Sequence, residues 1–237
     1  MKTSETEIKH LLIAWLAISF AFTIVLRGWH NQSLFSIFII SAVTVGFAFI
    51  FHELAHKVVA QRYGAWSEFR MAPFMLLVAI LTAFMGFIFA APGAVMIFSP
   101  YLTREESGKI AIAGPMTNVA LAFLFLPLFI LAPPGIFKDI GWFGVIINAL
   151  LAVFNMIPVS VLDRRKVLAW DKRIYGVALC LAIFVFVMSV IAWVSAGRVE
   201  EDSNFVVRCG VVYEGVVAGI FEVDSNFVVR GVDVLYF

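Results

Sequence analysis

PFMLLVAILTAFMGFIFAAPGAVMIF, residues 73–98, decides how the chain is threaded. The stretch is long and apolar enough for one helical crossing of roughly 30 Å of hydrocarbon. Yet Gly86 interrupts it, and Ala90-Ala91-Pro92-Gly93-Ala94 ends it with residues that break a straight helix. Either it crosses once or it enters and turns back. Five other apolar runs, at about 11–26, 34–51, 110–133, 141–158 and 174–196, are each long enough or nearly so to cross as helices. With 62% of the 237 residues hydrophobic and 14% charged, the expected fold class is an all-α polytopic membrane protein. It would have five to six transmembrane helices plus a re-entrant or short-hairpin segment at about 73–98.

The basic residues choose between the two threadings. A single crossing spreads Lys and Arg almost evenly over the two faces. If 73–98 returns, Lys57, Arg62, Arg70, Arg104, Lys109, Arg164, Arg165, Lys166, Lys172 and Arg173 share the face of Lys2 and Lys9, against Arg27 and Lys138 in the opposite short loops. Such asymmetry marks the richer face as cytoplasmic, which places the N-terminus there. MKTSETEIKH at the start is polar with both signs of charge, and the run after it leads to no small-residue cleavage site, so the first run reads as a retained helix. A net charge of +1 argues against nucleic acid as a partner; the lipid bilayer is the expected environment. Cys180 and Cys209 are isolated and imply neither a disulfide framework nor a zinc knuckle.

The second run ends in FHELAHK, residues 51–57. Four residues apart on a helix, His52 and His56 present imidazole nitrogens on one face. Glu53 projects about a third of a turn away, within reach of a water between them. Imidazole suits zinc, and an open zinc position lowers the pKa of bound water to around 7. Glu53 would then act as general base. The plainer alternative, two interfacial histidines with Glu53 paired to Lys57, has to explain a carboxylate kept at membrane depth. A catalytic zinc usually has three protein ligands. His10 and His30 are poorly placed, and Asp163, beyond Pro158, is a candidate third ligand. It reads equally well as a loop aspartate heading the basic cluster Arg164-Arg165-Lys166. Asn118, four residues into a later run, could bond a neighbouring helix or the site. Gly114 and Pro115 read as packing or helix-start residues, and Trp142, Trp170 and Trp193 as interfacial anchors.

His52-Glu53-Leu54-Ala55-His56, Ala113-Gly114-Pro115-Met116-Thr117-Asn118, and Asn155-Met156-Ile157-Pro158 followed by Leu162-Asp163 resemble the ordered motifs of the site-2 proteases, the intramembrane zinc metalloproteases. The resemblance covers roughly residues 10–196 and is to the short prokaryotic members without PDZ or CBS domains. It implies one zinc per chain held by His52, His56 and Asp163, with Glu53 as general base and Asn155 holding the substrate backbone. It also implies a transmembrane substrate protein cut in or near its helix, in regulated proteolysis. The returning threading puts Asp163 on the side of His56 and opens the site to the cytoplasm. The family pattern has glycine after the ligand aspartate, where this chain has Arg164. That departure keeps open a weakened member that binds zinc or client helices. A metal or proton transporter is a further alternative, disfavoured because no pair of broken helices repeats in two halves.

Residues 1–196 form the expected membrane core. In the tail, 197–237, Asp202 to Arg208 recurs as Asp224 to Arg230, a β-like, disordered or non-native segment on which no function is rested.

Overall fold

A computed structural model of the chain describes residues 2–27, 32–88, 92–99, 101–157, 164–195 and 233–234. Helix α1 (Glu5–Val25) is capped by Ser4, whose Oγ accepts the Glu7 N–H. Helix α2 (Leu34–Ser41) runs through a π turn at Ala42–Gly46 into α3 (Phe47–Arg62), together a 29-residue apolar span. Trp15 Nε1 donates to Ala42 O at the π turn (2.9 Å), and its ring lies where a Gly46 side chain would be. Bulge and glycine together let α1 close on this helix less than two turns before His52.

Strand β1 (Trp66–Met71), helix α4 (Pro73–Ala83) and strand β2 (Gly93–Phe98) follow. Eleven residues make α4 about 16 Å long, half of what a crossing needs. It packs Leu76, Ala79 and Ala83 inward toward α1 and leaves Phe74, Leu77 and Leu81 exposed, as a helix facing lipid would. Gly86, at φ +91°, makes the turn that an L side chain disfavours. β2 then pairs antiparallel with β1, from Trp66↔Phe98 to Met71↔Gly93. The segment turns back on itself.

Helix α5 (Arg104–Leu131) begins ahead of its apolar run, in a capping box where Thr103 and Glu106 satisfy each other's backbone N–H groups. Gly114 and Pro115 therefore lie inside a helix and do not start one. α5 runs antiparallel to α3: His56 meets Ile110, and Asn118 meets His52 and Ala48. Helix α6 (Ile136–Met156) returns along α5, with Gly141 against the Phe129 backbone and Gly144 against the Phe125 ring. This close approach buries Trp142 against Phe129, centroids 5.5 Å apart, so it is no interfacial anchor. Helices α7 (Arg164–Trp170) and α8 (Lys172–Ser195) complete the bundle, and Tyr175 Oη donates to Met156 O at the end of α6.

Five helices are long and apolar enough to cross a membrane: Glu5–Val25, Leu34–Arg62, Arg104–Leu131, Ile136–Met156 and Lys172–Ala192. The helical fold class expected from sequence is the one observed, with a small sheet added. From the tail, strand β3 (Asp233–Val234) pairs with β2 at Met96 and Ile97; the rest of 197–237 lies outside the described residues.

Candidate metal centre

His52, Glu53 and His56 on α3 are all buried, and one ligand-type atom from each falls within 4.8 Å of the others. The imidazoles meet edge to face with centroids 4.7 Å apart, as the four-residue spacing requires. What orients them comes from α5. His52 Nδ1 bonds Asn118 Oδ1, and His56 Nδ1 bonds Ile110 O at 2.8 Å. A backbone carbonyl can only accept, so His56 carries its proton on Nδ1 and keeps the Nε2 lone pair.

The same logic reaches His52 through three groups. Gly144 O only accepts, so Asn148 turns its Nδ2 toward it (2.8 Å) and its Oδ1 toward Asn118. Asn118 therefore faces Asn148 Oδ1 (3.0 Å) and Ala48 O with its Nδ2, which leaves Oδ1 for His52 Nδ1–H. Both histidines thus offer Nε2, the arrangement in which a partner on the other ring nitrogen fixes a metal ligand's tautomer.

Gly114 is the floor of the site. A Cβ there would lie 2.5 Å from His52 Cδ2 and closer still to the Nε2 atoms of both rings. The absent side chain leaves space directly beside the two lone pairs. The donor set and this space fit a zinc ion. Beside the two rings, Glu53 Oε2 accepts the Val95 N–H from β2 at 2.8 Å. The re-entrant segment thereby reaches the site through its backbone. Lys57 does not pair with Glu53; it pairs with Glu7 of α1, both fully buried.

Asp163 lies outside the described residues, as does Pro158. The chain before and after it is placed: Met156 and Val167 pack together with Ala111 in one buried cluster, next in sequence to Ile110. Asn155 is buried, and its Nδ2 donates to Leu151 O one turn back in its own helix. Sequence reading missed Gly114, Asn148, Ile110 and Val95 as parts of the site. Asn148 carried a usable signal, a polar side chain within an apolar run. Ile110 and Val95 act through main-chain atoms, on which side-chain identity is silent.

Asn118→Ala is expected to keep the fold and weaken zinc binding by roughly 10- to 100-fold, because His52 loses its orienting acceptor. Chelator competition on the purified protein measures this. Asn148→Ala, one bond further out, gives a smaller loss in the same assay.

No protein-family model matches the chain, and no solved structure matches it significantly. It is 49% identical over 176 residues to "Putative zinc metalloprotease MJ0611" of Methanocaldococcus jannaschii, covering 73% of this chain and 89% of that protein. It is 32% identical over 130 residues to "Putative zinc metalloprotease Rip3" of Mycobacterium tuberculosis, covering 53% of this chain and 29% of that protein.

Proposed function

Because this chain belongs to the zinc metalloprotease family of its Methanocaldococcus jannaschii relative, we propose that it is an intramembrane endopeptidase of the site-2 type, cutting a peptide bond in or near a transmembrane helix. One observation carries the reading: a buried His52-Glu53-His56 cluster, with both ring tautomers set and Gly114 clearing the space beside them, sits in a helix able to cross a membrane.

His52 and His56 would hold a zinc ion, with Asp163 as the third ligand. The packing of Met156 and Val167 on Ala111 supports Asp163, since both flanks of residues 158–163 pack on the residue that follows Ile110, whose carbonyl orients His56. Zinc, when bound, supplies a Lewis acid for the scissile carbonyl and lowers the pKa of water. Glu53, steadied by the Val95 N–H, takes the proton of the attacking water and returns it to the leaving amine.

A helical substrate keeps its carbonyls in internal hydrogen bonds and has to unwind before attack. The edge of β2 away from β1 takes an extended chain, as its pairing with β3 illustrates, and it lies next to Val95. Substrate held there in place of β3 is extended beside Glu53, with Asn155 contributing to its backbone contacts. The twelve basic residues on one face favour an N-terminus and a site opening on the cytoplasmic side, where a released fragment would act in regulated proteolysis.

Metal analysis of detergent-purified protein tests the ligand set. About one zinc per chain is expected in the parent. It is lost in His56→Ala and Asp163→Ala, and retained or strengthened in Arg164→Gly. Unchanged zinc in Asp163→Ala removes that residue from the site. No zinc in the parent or in Arg164→Gly overturns the enzyme reading.

A further inference from the structure

The buried carboxylate of Glu7 is used by nothing in the mechanism above. It is fully shielded from solvent, and its two oxygens go to different elements. Oε2 pairs with Lys57 Nζ, on the residue after His56, and Oε1 accepts the Phe69 N–H of β1 at 3.1 Å. Lys57 Nζ also donates to Thr3 Oγ1 (3.1 Å), while Lys57 O accepts Ser67 Oγ (3.3 Å). One end of α1, one end of α3 and the outer edge of β1 are therefore joined at a single carboxylate.

Phe69 stands opposite Val95 in the β1–β2 ladder. The Phe69 N–H points out of the sheet to Glu7, and the Val95 N–H points out of the other edge to Glu53. This is the geometry of a non-hydrogen-bonded antiparallel pair, whose amides face away from each other. The ladder is thus a spacer between two carboxylates, and its far edge fixes where its near edge aims. An edge amide in apolar surroundings has to be satisfied, so the register of β1 against Glu7 is not free to slip.

We propose that Glu7 is a positioning residue for Glu53: by holding the Phe69 amide it sets the β1–β2 ladder so that the Val95 N–H meets the Glu53 carboxylate. This rests on the metalloprotease reading. The role is separate from charge compensation of Lys57, and the two are resolved by double substitution. Glu7→Gln with Lys57→Met removes both buried charges and keeps an acceptor for Phe69. Glu7→Ala with Lys57→Met removes both charges and the acceptor.

Each protein is purified in detergent, loaded with zinc, and followed by hydrogen exchange of peptides covering 66–71 and 93–98. Cleavage is read on a synthetic apolar transmembrane peptide carrying a mid-helix Gly-Pro between fluorophore and quencher. In the Ala/Met protein, exchange rises in both strand peptides while α6 keeps its parent protection and zinc stays at the parent level. Its kcat falls roughly 10- to 100-fold at unchanged KM. The Gln/Met protein restores both readouts to near the parent. Equal behaviour of the two double variants, or parent-like exchange of 93–98 in the Ala/Met protein, overturns the proposal. Failure of the protease reading shows separately, as cleavage that does not differ between the zinc-loaded parent and Glu53→Gln, and the exchange comparison still decides the role of Glu7.

Discussion

Gly114→Ala protein is expected to come off purification with almost no zinc, although alanine is the better helix former and sits in the middle of α5. The reason is space. The new Cβ would lie 2.3 Å from His52 Nε2, whereas ordinary contact begins near 3.4 Å, so α5 and α3 have to part by about 1.1 Å. That movement carries Asn118 Oδ1 and Ile110 O with it, the two acceptors that hold the rings. The methyl also stands against both Nε2 atoms. A loss of metal affinity beyond the roughly 100-fold of an orienting partner is expected, because the site is filled as well as misaligned. Metal analysis beside a thermal melt separates this from unfolding: the helical signal stays while zinc goes. Parent-level zinc in Gly114→Ala would remove the two-histidine site as drawn.

Glu53→Gln has the second large effect and the opposite pattern. Glutamine keeps an oxygen for the Val95 N–H and nearly the same shape, but it cannot take a proton from water. Zinc stays at the parent level while cleavage falls by roughly 10²- to 10⁴-fold, the range for a positioned general base. A protein that only carried the metal would show no such separation. Cleavage at the parent rate by Glu53→Gln would take the general-base role away from this residue.

The legibility of the site follows from which atoms do the work. His52, Glu53 and His56 were readable because helical periodicity is local, and because ionisable groups within an apolar run are expensive to keep. Asn118 was readable as a polar residue needing a partner, but the partner was not. Its amide is oriented by Asn148 and Ala48, thirty and seventy residues away. Gly114 was read as a packing residue, which is true of its mechanism and incomplete about its place: the surface it clears is that of two imidazoles. Lys57, four residues from the Glu53 carboxylate in sequence, finds its counterion fifty residues away in Glu7. The short polar strand β1 gave no strong periodic signal, since only pairing with β2 makes Trp66–Met71 a strand.

Composition, periodicity and the distribution of basic residues were enough for helices long and apolar enough to span hydrocarbon, for a segment that turns back between them, and for two histidines and a glutamate on one turn. All are consequences of local sequence meeting a solvent with no hydrogen bonds to offer. Tertiary structure alone decided which nitrogens of those histidines are bonded to α5 and which are left to offer a lone pair, what clears the space beside them, and how a backbone amide of the returning strand comes to hold Glu53. These depend on main-chain atoms and close helix contacts between residues far apart in the chain, and no pattern along a single strand of sequence encodes the distance between them.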